Sequence, residues 1–440
     1  MDLIIYSLKA VAVAIVEPLH LLMLIIFGIL FYLKNKKISA IQRMTIGERI
    51  NSPLELTLSQ IVLGILAGAI GTIILTILGV TFKENSGIEF LFIISILMLF
   101  YKKKFISFAY TGAILGAIGI VMNIVQVIVG KKLYFDVDIL ALTTFIAVIY
   151  IIEALLIMID GGRGAIPVFT KKDNKIIGGF SFNRYWALPI AILMIFNNEL
   201  ISSSSTIAIE TPNWWPIIKT NGILDLLTTA MMACIPLYGV MGYNSVTFTK
   251  EKNKKPLLSG LLIFILGISI LVIAQLSRLN IIGQIIAIAF MPLAYEFIIR
   301  YDRKLENDNN HHLYVSDDEG IMILEVAPNL PGYEAGIRSG DKILSINGTS
   351  VTSEADILKA AKDGMFKMQL SVKKKSGQVL EYFVQPRNKR IGILLVPKMV
   401  KVEDIVGADT EDFKRILEEL KSKKWYISEV ERFIFCYWDT

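Results

Sequence analysis

From Val11 to Arg300 the chain returns again and again to apolar runs of about twenty residues. That length matches the hydrocarbon core of a bilayer when the chain is helical. The runs fall near 11–33, 60–82, 87–101, 105–129, 137–159, 185–207, 222–245, 257–277 and 281–300. The third is short, and the sixth is interrupted by Asn197, Asn198 and Glu199. Read as spanning helices, they predict an α-helical polytopic bundle over 1–300, with about seven to nine spans. The 54% hydrophobic content fits an integral membrane protein and is unusual for a soluble chain of 440 residues.

The charges give this map an orientation. One set of loops holds Lys34, Lys36, Lys37, Arg43 and Arg49, then Lys102 to Lys104. It continues with Arg163, Lys171, Lys172, Lys175 and Arg184, then Lys250, Lys252, Lys254 and Lys255, and finally Arg300, Arg303 and Lys304. The alternate loops hold only Lys9, Lys83, Lys131, Lys132, Lys219 and Arg278. The positive-inside rule makes the first set cytoplasmic, with the N-terminus outside and everything after Arg300 inside. The net charge of +6 follows from that loop bias. No basic stripe interleaved with aromatics points to nucleic acid. Cys234 lies in an apolar run and Cys436 far beyond it, so no disulfide framework is expected. The first segment lacks a small-residue cleavage site and reads as retained.

Ionisable residues inside the apolar runs are Glu17, His20, Glu153 and Asp225. Such groups either serve a transport path or pair inside the bundle. Gly64, Gly68 and Gly71, and again Gly112, Gly116 and Gly119, recur at spacings that share one helix face. They mark close packing. The loop 160–184 opens with GGRGAIP, but without a preceding strand or the G-x-x-x-x-G-K-[ST] spacing it is no phosphate loop. It reads as a structured loop or a partner contact.

After Arg300 the pattern changes. Residues 301–312 (YDRKLENDNNHH) are polar and read as a linker. Its two histidines have no third ligand nearby, so no metal is expected. Ile321 to Val326 is an apolar strand, and Tyr333 to Ile337 a helical turn ended by Gly340. Lys342 to Ile346 is a strand closed by Asn347-Gly348, a dipeptide suited to positive φ. Ser353, with Asp356 three residues on, starts a helix. Met368, Leu370 and Val372, then Leu380, Tyr382 and Val384, alternate with polar residues across Ser376-Gly377, as in a hairpin with one buried face.

Val326 to Val351, VAPNLPGYEAGIRSGDKILSINGTSV, resembles the middle of bacterial PDZ domains. The resemblance covers about one fifth of the chain and implies a small α+β PDZ-like domain over 313–398. It also implies a peptide-binding mode, in which an extended peptide or a protein C-terminus adds a strand to a sheet edge. Ile391-Gly392-Ile393 matches the apolar-Gly-apolar loop whose amides take a carboxylate, as in PDZ domains with permuted strand order. Leu394, Leu395 and Val396 would pair with the peptide. The helix from Ser353, with Ile357 and Ala361, would form the opposite wall. The tail 399–440 places Phe413, Ile416, Leu417 and Leu420 at helical spacing, which predicts an amphipathic helix. That helix would pack on the PDZ-like domain, bind a partner or lie on membrane lipid.

Membrane proteases that carry PDZ domains need motifs this chain lacks. His20, His311 and His312 are its three histidines, and no H-E-x-x-H occurs. No soluble segment supplies a serine-protease triad, so no enzymatic activity, catalytic residue or cofactor is expected. The layout resembles MinJ-like division-site proteins of Gram-positive bacteria. The stretches that carry this are EPLHLLMLIIFGILFYLKNKK at Glu17 to Lys37 and RIGILLVPK at Arg390 to Lys398. The resemblance implies a membrane-anchored scaffold that links a DivIVA-type pole protein to the division inhibitor MinD, enriched at septum and poles. Two alternatives stand beside it: a transporter or channel regulated by its PDZ domain, and an adaptor presenting clients to a separate protease.

Overall fold

The computed structural model describes residues 2–101, 107–130, 135–172, 175–196, 214–218, 231–307, 312–363 and 367–398. Asp225 and the expected tail helix lie outside these residues.

Local signals start and stop the long helices. α1 (Asp2–Val16) and α2 (Pro18–Ile46) meet at Glu17, with Pro18 at the first helical position. α3 (Pro53–Leu78) is capped by Ser52, whose hydroxyl accepts from the Glu55 amide at 3.1 Å, and stops at Gly79. α4 (Ile88–Tyr101) is short, and α5 (Phe108–Val129) follows it. α6 (Ile139–Asp160) is capped by Asp138, which accepts from the Ala141 amide at 3.0 Å. α7 (Lys254–Ala274) and α8 (Ile281–Asn307) complete the set. Six of these helices are long and apolar enough to cross a membrane, with α6 the most enclosed at 72% buried. α8 continues to Asn307, so the first part of the expected linker is helical.

The count of six falls below the expected seven to nine. The run 87–101 is helical but only 14 residues long. The described parts of 185–207 and 222–245 are not helical. They belong to β3 (Lys175–Phe196) and β4 (Met231–Thr247), which pair antiparallel from Phe180↔Thr247 to Phe196↔Met231. A strand buried on both faces has no polar alternation, so its apolar run looks like that of a buried helix.

A strand has two edges, and β3 has both occupied. β4 takes one edge. The other is shared by β2 (Ile166–Lys172), antiparallel at Lys175 to Ser181, and β1 (Thr81–Lys83), parallel at Leu193 to Ile195. Between them lies α3. A Cβ on Gly64 would come within 2.0 Å of the Ala187 carbonyl oxygen, and one on Gly68 within 1.9 Å of the Pro189 oxygen. The Thr72 hydroxyl accepts from the Ala191 amide at 2.9 Å. Pro189 has no amide to leave unpaired on this side. The glycine face read from the sequence therefore packs against a strand backbone.

At one end of this body, buried charges are matched. Arg184 is fully buried and pairs with Asp160, which also accepts from Trp186 Nε1 at 2.9 Å. Arg184 also donates to Ser59 Oγ at 2.7 Å. Lys255 is buried against Asp302 at 2.9 Å and Glu306 at 3.3 Å. Glu17 and His20 contact each other, and the His20 ring stacks on Tyr238 with centroids 5.8 Å apart.

The second half begins inside the first. β5 (Tyr314–Val315) pairs with Ile177 and Gly178 of β3. A separate six-stranded sheet then runs in the order β10-β9-β7-β6-β11, with β8 (Thr349–Ser350) beside β7. Its strands are β6 (Ile321–Val326), β7 (Lys342–Ile346), β9 (Met368–Lys373), β10 (Val379–Val384) and β11 (Ile393–Leu395). α9 (Pro331–Glu334) and α10 (Glu354–Asp363) complete it. Asn347 and Gly348 take positive φ, as their turn requires. Asp356 accepts from the Ser353 amide at 2.9 Å, the reciprocal half of a capping box.

A candidate peptide-binding site on the second sheet

β11 ends the sheet, so one of its edges pairs with β6 and the other pairs with no described strand. Gly392 stands before it at φ +75°. This left-handed residue turns the Ile391 and Gly392 carbonyls inward, where they accept from Gly332 at 2.9 Å and Ala327 at 2.8 Å. Among the described residues, neither the Ile391 nor the Gly392 amide has a backbone acceptor. Successive amides left this way form a concavity suited to an anion. The loop follows a tight turn through Asn388 and Lys389, both at positive φ, with Arg387 and Arg390 bonded across its base. Arg387 is paired with Glu334 at 3.3 Å, so it is Arg390 that raises the local potential for a carboxylate.

The residues expected to wall the groove divide into two groups. Ile391, Ile393 and Leu395 meet Ile357 and Ala361 of α10 in the domain's own core. Ile357 and Ala361 are buried, so they hold the helix in place. The large apolar residue of α10 that faces solvent is Leu358, at 54% exposure. Leu394 and Val396 point the other way. Val396 is fully buried in the large core of the membrane half, and Leu394 packs against both that core and Ile46 at the end of α2. Strand alternation explains the split: residues one apart face opposite sides of a sheet. Only the fold shows that the second side is also covered.

That cover is extensive. Leu324 and Val396 lie against Gly178, where a Cβ would sit 3.0 Å from each. Glu325 pairs with Lys252 at 2.7 Å, and Lys375 with Glu251 at 3.1 Å. Arg390 lies over Gly47. The loop beside the candidate groove is thus braced by the end of α2.

A PDZ domain family model matches residues 322–372. The chain is 24% identical over 209 residues to the cell division topological determinant MinJ of Bacillus subtilis (strain 168), covering 46% of this chain and 47% of that one. It is 34% identical over 88 residues to the serine protease HTRA1 of Xenopus tropicalis, 20% of this chain and 16% of that protein. The HTRA1 of Xenopus laevis is 32% identical over the same length. The alignments thus span about half of MinJ and a smaller part of the HTRA1 proteins. This is a membrane protein, similar to MinJ, whose spanning-length helices are followed by a PDZ domain.

Proposed function

We propose that this MinJ-like membrane protein is a scaffold of bacterial cell division that recruits partners by strand addition to β11. The open edge of β11, beside the Gly392 loop and α10, carries the reading. An extended peptide or protein C-terminus supplies the next strand, and its carboxylate lies on the Ile391 and Gly392 amides. The work is binding and localisation, without chemistry. The helices cross the membrane several times, and the basic loops hold the PDZ domain on the cytoplasmic side. A DivIVA-type pole protein and a MinD-type inhibitor are the partners that the likeness to MinJ favours. Clustering in the membrane adds avidity and residence at septum and poles.

The test is the position in its host of a fluorescent fusion, wild type beside Leu358→Glu. Gly392→Glu is a poor probe, because a Cβ at Gly392 would lie 2.5 Å from Leu330 Cβ and disturb the fold as well as the loop. Leu358 is exposed, so its replacement leaves the core intact. Septal signal in the wild type that spreads in the variant supports the scaffold and its groove. Septal signal in both moves recognition elsewhere on the chain. Uniform signal in both sinks the division role.

A further inference from the structure

The GGRG loop after α6 serves no purpose in the peptide site. It lines a cavity of about 340 Å³ between the ends of α2 and α6 and the PDZ domain. That volume is at the lower end of ligand pockets, which run from about 300 to 1,000 Å³. Gln42, Arg163, Lys252 and Glu325 contribute polar walls, and Met158 and Ile159 an apolar one.

Gln42 points to an occupant. Its side chain is 1% exposed, and Nε2 donates to the Ala165 carbonyl at 3.0 Å. That bond fixes the amide, so Oε1 is the free atom. Oε1 has no partner among the described residues. A buried acceptor left so is costly and calls for a donor. Arg163, on the same cavity, is half exposed. Its described ionic contact, with Asp160 Oδ1, is 3.7 Å long, beyond a charge-assisted hydrogen bond. Asp160 is held instead by Arg184. The Arg163 fork is thus open to a second anion. Lys252 is neutralised by Glu325, so the anion's place is on the Arg163 side. Ile159 is 71% exposed beside it, at the end of a helix of spanning length.

We propose that this cavity binds the headgroup of an anionic phospholipid that also carries a hydroxyl donor, of the phosphatidylglycerol kind. The phosphodiester pairs with Arg163, the headgroup hydroxyl donates to Gln42 Oε1, and the chains run past Ile159. A basic site at helix ends is where headgroups lie. Neither charge nor donor alone satisfies both groups.

Native mass spectrometry of the full-length protein released from mixed micelles tests this. The probes are phosphatidylglycerol, phosphatidylmethanol (an anion without the hydroxyl) and phosphatidylcholine. Wild type retains them in that descending order. Arg163→Gln, a change at a half-exposed side chain, lowers phosphatidylglycerol retention about ten-fold with an unchanged melting temperature. Gln42→Met removes only the preference for phosphatidylglycerol over phosphatidylmethanol. Equal retention of phosphatidylglycerol and phosphatidylcholine by the wild type overturns the proposal. So does an undiminished preference in Arg163→Gln. Binding of free glycerol phosphate without any lipid preference makes the site one for a soluble phosphate ester and overturns the lipid assignment.

Discussion

The two sheets treat their strand edges in opposite ways. In the membrane half, β3 gives one edge to β4 and the other to β2, α3 and β1. In the PDZ domain, β11 keeps one edge clear of every described strand. What packs around each edge sets the difference. A strand edge buried among apolar side chains finds no water to bond, so leaving it unpaired is costly. Water tolerates an unpaired edge, and a partner's strand can take it. A closed edge builds the body, and an open one recruits.

Four outcomes would break or sharpen this contrast. The largest concerns Arg184, which anchors β3 beside its closed edge. Arg184→Met leaves Asp160 buried without its cation and costs about 3–5 kcal/mol, read as thermal unfolding in detergent. Adding Asp160→Leu should restore most of that loss; no recovery would mean that shape rather than charge matters there. Next is the edge closure itself. Gly68→Val drives a methyl-bearing carbon into the Pro189 carbonyl and costs about 3 kcal/mol by the same measure. A neutral result would show that α3 does not seal β3.

At the open edge the effects are smaller and local. Gly392→Ala forces a side chain into left-handed backbone against Leu330, at about 1–3 kcal/mol. Hydrogen exchange should quicken around β11 while the helices stay protected. Faster exchange throughout would mean that the two halves unfold together. The smallest effect is on acidity. Ser353 and Thr352 amides bonded to Asp356 hold its carboxyl below the ordinary 3.8, although slight burial opposes them. For Asp317 burial raises the carboxyl, but the ion pair with Lys342 outweighs it and the net shift is downward from 3.8. Lowered carboxyls stabilise the fold fully above their ordinary value and lose that contribution as pH falls through the lowered one. PDZ-domain melting should therefore decline as pH falls below about 4, and less so in Asp356→Asn.

Legibility differed between the halves for a physical reason. Along β9 Met368, Leu370 and Val372 turn inward and alternate with less buried residues, and turns fall at Asn347-Gly348 and Ser376-Gly377, so strand and turn could be read there residue by residue. Between Tyr185 and Phe196 nearly everything is apolar and buried, and no period separates helix from strand. Length then suggests a helix, and the structure has β3. The glycine face of α3 announced a close approach, but not that its partner was the Ala187 to Pro189 backbone.

The groove shows the same limit at the scale of single residues. The resemblance to PDZ domains marked Ile391-Gly392-Ile393 as the carboxylate loop before a strand. It could not tell Leu395, which faces the PDZ core, from Leu394 and Val396, which face the membrane half. That sorting depends on what packs against the sheet's second side. The covering residues, Ile46 and Gly178, are hundreds of positions away. Sequence by itself determined the membrane-spanning character, the place where composition turns soluble and the PDZ pattern, since each is written in local chemistry and short periods. The strand pair within the apolar runs, the sealed and open edges, and the cavity beneath Gln42 were decided only by tertiary structure, because they arise where distant segments meet.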